Sequence, residues 1–374
     1  MADRGLTDRH YVSDLEESDT REGFDFPPPE RKVITQSYDL SVQTLLEQWE
    51  TEVLVLPEIQ REYIWDDGRA SRLIESLLLN IPIPVVYLAE TMDAKYEIID
   101  GHQRIRSVVR FLKNEFKLRS LVVLDEYNGQ HLFELPEREQ RFLRMRTLRA
   151  VILAAESHPN MKFEIFERLN TGSIELNAQE LRNSIYRGSL NRLLHELASE
   201  ASFRQAIGQR QKRRRMVDEE LVLRFLALDN GYPNYRAPLK RFLNEFMTTF
   251  RNADAAQLTL FADSFATAVG NVVAVLGTSA FRVTDTAGAP VEAVINRALY
   301  DAQMLVLGRV PQAQLLDRRA AVLESIGELF ADDLFDDSIR RATGDRARLR
   351  IRVERMTQAL RGADVDVVIP TAWG

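Results

Sequence analysis

The chain has 374 residues, 45% of them hydrophobic, which is enough for two domains with cores of their own. No uninterrupted apolar run approaches the roughly 20 residues that span a bilayer, and the N-terminus lacks a charged-then-apolar leader, so a cytoplasmic location with no membrane partner is expected. The absence of cysteine excludes disulfides, thiol nucleophiles and thiolate metal sites, and a net charge of −7 disfavours a protein that coats nucleic acid with its whole surface.

In chain order, residues 1–31 are polar and acidic and close on Pro27-Pro28-Pro29, the composition of a mobile acidic arm. Residues 32–157 alternate strand candidates, at 33–38, 53–56, 85–89, 96–99, 121–124 and 148–153, with helices. One of these helices, expected over 70–80, carries Leu73, Ile74, Leu77 and Leu78 on one face and is stopped by Pro82-Ile83-Pro84. From 158 to 374 the periodicity is helical, with helices expected at 163–169, 221–228, 239–250, 255–276 and 318–330. The expected fold class is therefore α+β, a mixed α/β core followed by an all-α region that completes the site and serves as support or oligomer surface.

The chemistry concentrates where the strand ending at Ile99 runs through Asp100 and Gly101 into an amphipathic helix marked by Ile105, Val108, Val109 and Leu112. Asp100 is the expected N-cap, Gly101 permits a sharp turn and close ligand approach, and the first helical amides point to where a phosphate would sit. Gln103 and Arg104 place a neutral amide and a forked cation beside that position. Upstream, Gln60 and Arg61 again sit together, after the apolar run 53–56 and before a helix, a segment that reads equally as a surface loop with a packed Trp65. Downstream, Arg168, Asn170 and Thr171 lie in or beside a break between helices, with Asn177 and Glu180 forming a capping box for the next one. A helix C-cap accounts for Asn170 and Gly172 as well as a ligand would.

The densest positive run, Arg210-Gln211-Lys212-Arg213-Arg214-Arg215, offers DNA-phosphate contacts through Arg210, Lys212, Arg213, Arg214 and Arg215, or else simply pairs with Asp218, Glu219 and Glu220. The five histidines are scattered, so no metal cage is expected, and no Walker-type G-x-x-x-x-G-K-[ST] is present.

The order P-x-x-Q-R-x-Y-x-W from Pro57, then D-G-x-Q-R at 100–104, then F-E-R-L-N-T-G at 166–172 and L-N-A-Q-E-L-R-N at 176–183 resembles the N-terminal domain family of GmrSD-type restriction endonucleases. The resemblance implies a ParB/sulfiredoxin-like nucleotide-binding fold and places the 166–172 segment against the nucleotide site. His102 stands where the family motif has Gln. The resemblance implies that many relatives carry a downstream HNH nuclease domain, but residues 216–374 contain no histidine to supply its metal ligand, so a stand-alone member is expected.

With the phosphate-fitting turn, the resemblance implies a component of a prokaryotic defence or restriction system that binds and hydrolyses a nucleoside triphosphate, with Mg as its candidate companion ion. Asp100, Gln103 and Arg104 are the catalytic candidates. Gln60, Arg61, Gly101, His102, Arg168, Asn170 and Thr171 are the nucleotide-binding candidates, and DNA and a partner nuclease are the candidate partners. The alternatives are a nuclease acting through the core and a non-enzymatic, nucleotide-gated DNA-sensing adaptor.

Overall fold

In the 147–153 segment Leu148, Ala150 and Ile152 are buried while Thr147 and Arg149 face solvent, the two-residue alternation of a strand. The computed structural model describes residues 32–56, 63, 65–91, 93–169, 177–208 and 216–368. Five strands, β1 (Thr35–Ser41), β2 (Leu54–Val55), β3 (Val86–Glu90), β4 (Tyr96–Asp100) and β5 (Thr147–Leu153), form one mixed sheet in the order β1-β5-β3-β4-β2. β1 is antiparallel to β5, β3 is parallel to β5 and antiparallel to β4, and β2 is parallel to β4 with Leu54 opposite Tyr96. The α+β class expected from the sequence is present. The chain divides into two compact units, one running up to Ile185 and the other beginning at Tyr186. The arm expected over 1–31 lies outside the described residues.

The first unit adds α1 (Val42–Glu50), α2 (Asp67–Leu78), α3 (His102–Leu112), α4 (Glu137–Met145), α5 (Pro159–Leu169) and α6 (Ala178–Ile185). Ser41 and Asp66 start α1 and α2 by accepting the backbone N–H of Thr44 (2.9 Å) and Arg69 (2.7 Å). Leu45, Ile74, Ile105, Val108, Phe111 and Leu143 from the helices meet Leu88, Ile98 and Ala150 from the sheet in one apolar core. The capping box expected at the head of α6 is formed: Asn177 Oδ1 accepts the Glu180 N–H at 2.9 Å and Glu180 Oε2 accepts the Asn177 N–H at 2.7 Å. The polar residues that follow are buried, with Gln179 Nε2 donating to Asn183 Oδ1 (3.0 Å) and Arg182 stacked over Phe163.

Residues 121–124 do not form the expected strand. The Glu75 carboxylate on α2 collects the N–H groups of Val122, Val123 and Leu124 on one oxygen, at 3.0, 2.8 and 2.9 Å, and Leu121 N–H goes to Asn128 Oδ1. Donors turned inward onto one carboxylate cannot join a ladder, so the segment curls and leaves Val122 77% and Val123 63% exposed.

The second unit comprises α7 (Ser189–Ala198), α8 (Ala201–Ala206), α9 (Val217–Gly231), α10 (Leu239–Thr249), α11 (Ala255–Leu276), α12 (Arg297–Leu307), α13 (Gln312–Asp317), α14 (Arg319–Glu328), α15 (Asp333–Arg340) and α16 (Arg346–Gly362). By length and composition α11 would suffice to cross a membrane, but here it packs against α7, α8, α9, α12, α13 and α14. Its buried Asn271 donates to the Leu307 and Val310 carbonyls at 2.8 Å each, which satisfies the amide inside the bundle. Beside it, Asp301 is buried between two arginines: Arg224 Nη2 lies 2.6 Å and Arg352 Nη2 3.0 Å from Asp301 Oδ2. Burial pushes the neighbouring Tyr300 hydroxyl well above its usual pKa, so it stays protonated and donates to the Leu221 carbonyl at 2.9 Å.

Candidate functional site

Because β2 and β4 are parallel neighbours, both end at the same margin of the sheet. The chain leaves β2 there toward α2, and leaves β4 there through Gly101 into α3, and the two helices pack side by side. β3 runs the other way, with Tyr87 opposite Asp100, so the Pro82-Ile83-Pro84 turn ahead of β3 reaches this margin as well.

Gly101, with φ of +95°, is the N-cap of α3 and provides no side-chain cap. Asp100 is the last residue of β4 and not the expected N-cap, because its carboxylate turns to Arg104 Nη2 at 2.7 Å. A Cβ at position 101 would lie 2.6 Å from Val86 Cγ1, so only glycine lets the backbone turn this close to β3. Arg104 also donates through Nη1 to the carbonyls of Pro84 and Val85, the latter at 3.2 Å. Its side chain is 12% exposed against 38% for Asp100, so the guanidinium braces the turn from behind while the carboxylate faces solvent.

Gln103 is buried. Its Oε1 accepts the Trp65 N–H at 3.3 Å, and its Nε2 lies 2.7 Å from His102 Nε2. One turn on, Ser107 Oγ donates to the Gln103 carbonyl at 2.7 Å and lies 2.8 Å from the Tyr63 hydroxyl. The Tyr63 ring is flanked by Arg110 at 4.6 Å and Arg106 at 5.4 Å, and Arg69 lies 4.6 Å over Trp65. Burial works to lower the pKa of Arg110, but the Tyr63 hydroxyl and the Asp67 carboxylate outweigh it and hold it above its ordinary value.

The structure therefore brings Asp100, Gly101, His102, Gln103 and Arg104 together with Tyr63 and Trp65 of the upstream motif. Arg168 is 76% exposed and pairs with Glu164 at 2.8 Å near the end of α5, a helix that packs on β4. Gln60, Arg61, Asn170, Thr171, Arg210, Lys212, Arg213, Arg214 and Arg215 lie outside the described residues. Sequence reasoning missed Tyr63 and Ser107; the alternation of Tyr63 with Trp65 in the upstream motif was the available signal. Nothing local marked Val86 or the Pro84 carbonyl. Among the described residues no group of three or more His, Asp or Glu side chains is arranged to hold a metal ion.

Residues 42–187 match the family model described as GmrSD restriction endonuclease, N-terminal domain. Over this segment, less than half of its length, the chain is similar to that family. The matched segment takes in β2 to β5, α1 to α6 and the Gly101 turn between β4 and α3. A search of curated proteins gives no match to the chain.

Proposed function

We propose that the chain is a component of a prokaryotic restriction or anti-phage defence system that binds a nucleoside triphosphate at the β4–α3 turn and hydrolyses it in the cytoplasm. One observation carries the reading: the parallel pair β2 and β4 ends at one margin of the sheet, where α2 and α3 begin and where α/β folds bind ligands, and the Gly101 turn with Gln103 and Arg104 lies there. The turn fits a phosphate chemically. Gly101 gives the close approach, the first-turn amides of α3 supply donors, and Arg104 adds a fixed positive charge behind them. Gln60, Arg61, His102, Arg168, Asn170 and Thr171 would complete the walls. Asp100, half-exposed at the turn, is the group to orient a water or an accompanying Mg ion, whose charge would neutralise the phosphate oxygens. DNA contact through residues 210–215 and a partner nuclease belong to the same reading.

A second reading, the nucleotide-gated adaptor, is favoured by the internal bonding of Gln103 and Arg104, since side chains spent on holding a shape suit a switch better than a catalyst. Calorimetry with ATP, GTP, CTP and UTP plus magnesium, followed by phosphate release, separates the two. Binding with turnover supports the hydrolase, binding alone supports the adaptor, and no binding by any triphosphate rejects both.

A further inference from the structure

A glutamine amide has one accepting end and one donating end, so its neighbours decide which way it lies. The Trp65 backbone N–H can only donate, which fixes Gln103 Oε1 toward it and turns Nε2 to His102. At 2.7 Å from a donating amide, His102 Nε2 must accept, and the imidazole proton therefore resides on Nδ1. A second thread runs alongside. Ser107 Oγ gives its proton to the Gln103 carbonyl, which leaves the oxygen to accept from the Tyr63 hydroxyl. Both threads join the residues ahead of α2 to the first turns of α3, across 38 positions for Trp65 and Gln103 and 44 for Tyr63 and Ser107.

We infer that Gln103 is a positioning residue that ties the β4–α3 turn to Tyr63 and Trp65, with the Trp65 N–H setting the orientation of its amide and His102 accepting from the other end. In the motif that covers this turn, the glutamine then acts through Trp65 and does not hold the attacking water. His102 and Gln103 are the first two residues of α3, so a group that orders the turn also orders Trp65 and the head of α2. By reciprocity, a well-placed Trp65 favours occupancy of the turn. This coupling rests on the triphosphate reading above, whereas the tie itself does not.

The test uses the full chain with Trp65 as its single tryptophan, through Trp49→Phe and Trp373→Phe. Nitrogen NMR is expected to find His102 in the Nδ1–H tautomer. Gln103→Glu still accepts from Trp65 but offers no proton to His102, so it moves the imidazole proton to Nε2 or makes the ring doubly protonated while leaving Trp65 emission unchanged. Gln103→Leu shifts Trp65 emission to the red and speeds exchange of its amide. His102→Gln, which can donate or accept at either end, keeps the wild-type emission even if Gln103→Leu fails to fold.

With the magnesium salts of the four triphosphates as probes, binding changes Trp65 emission in the wild type and not in Gln103→Glu,His102→Leu. Where turnover occurs, Gln103→Leu, which loses the bond to Trp65, raises KM about tenfold and changes kcat less than about threefold, by the logic that lost positioning weakens binding before chemistry. An unaltered His102 tautomer in Gln103→Glu, or a hundredfold fall in kcat at constant KM, overturns the inference. If no triphosphate binds while the tautomer and emission respond as described, the tie stands and the anion reading falls.

Discussion

Two arginine sites, one in each unit, are built in opposite ways. In the helical unit Arg224 and Arg352 are buried against a single carboxylate, so their charges are satisfied by Asp301 and by carbonyls such as that of Thr343 at 2.7 Å from Arg352. In the α/β unit Arg104 keeps to the edge of the sheet and shares its fork between two carbonyls and the half-exposed Asp100. The first arrangement is sealed against exchange of partners. The second leaves an anionic group facing water beside a positive helix end, and there a ligand can compete. Charge marks a site only where solvent can replace one partner by another.

The largest expected effect lies in the sealed cluster. Asp301→Ala leaves two guanidinium groups buried without their carboxylate and should cost about 3–5 kcal/mol, read from urea unfolding of the whole chain. A loss below about 1 kcal/mol would break the contrast between the units. Next is Gly101→Ala, which forces a side chain into the left-handed region and against Val86, for about 1–3 kcal/mol of strain. Triphosphate binding should vanish with it in calorimetry. Val86→Ala in that background should relieve the clash but not the backbone strain, giving partial recovery of stability.

Arg104→Lys keeps the charge while removing the fork, and should lower stability by about 1–2 kcal/mol through the lost bonds to Pro84, Val85 and Asp100. Affinity for triphosphate should fall less in Arg104→Lys than in Arg104→Ala. Glu75→Gln should cost about 1 kcal/mol, because three N–H groups lose a charged acceptor, and hydrogen exchange at Val122, Val123 and Leu124 should quicken.

The smallest effect is expected at Asp39 and Arg149, a fully exposed pair on β1 and β5. The hydrogen bond from Arg149 holds the Asp39 carboxyl below its usual pKa, so any stabilisation is present above the ordinary carboxylate value of 3.8 and is lost as pH falls through the lowered one. Solvent and salt screen it, and Asp39→Asn should leave the thermal midpoint at neutral pH unchanged in high salt.

What could be read in the sequence was what is local. The Asn177 and Glu180 capping box spans three residues and was legible, and so was the alternation that builds β5. Residues 121–124 look like a strand because Val122 and Val123 are β-branched, yet the carboxylate that bends them sits on α2, 46 or more positions away in sequence. Asp100 and Gly101 both qualify as a cap by type, and the choice falls to Gly101 because Arg104, four residues on, claims the carboxylate. The D-G-H-Q-R turn was found from its residues. Its fastening to Trp65 and Tyr63 was not, because the fold brings together segments that no local pattern links.

β2 is too short to template self-association. A strand of two residues at one margin of the sheet presents almost no open ladder to another molecule, and that margin is protected from edge-to-edge pairing simply by being short. At the other margin β1 runs seven residues in unbroken register, without proline, lysine or a bulge along it. When copies of the chain are crowded or partly unfolded, aggregation is therefore expected to begin at β1, and a lysine at Ser37 is the change that should raise solubility without touching the turn at Gly101.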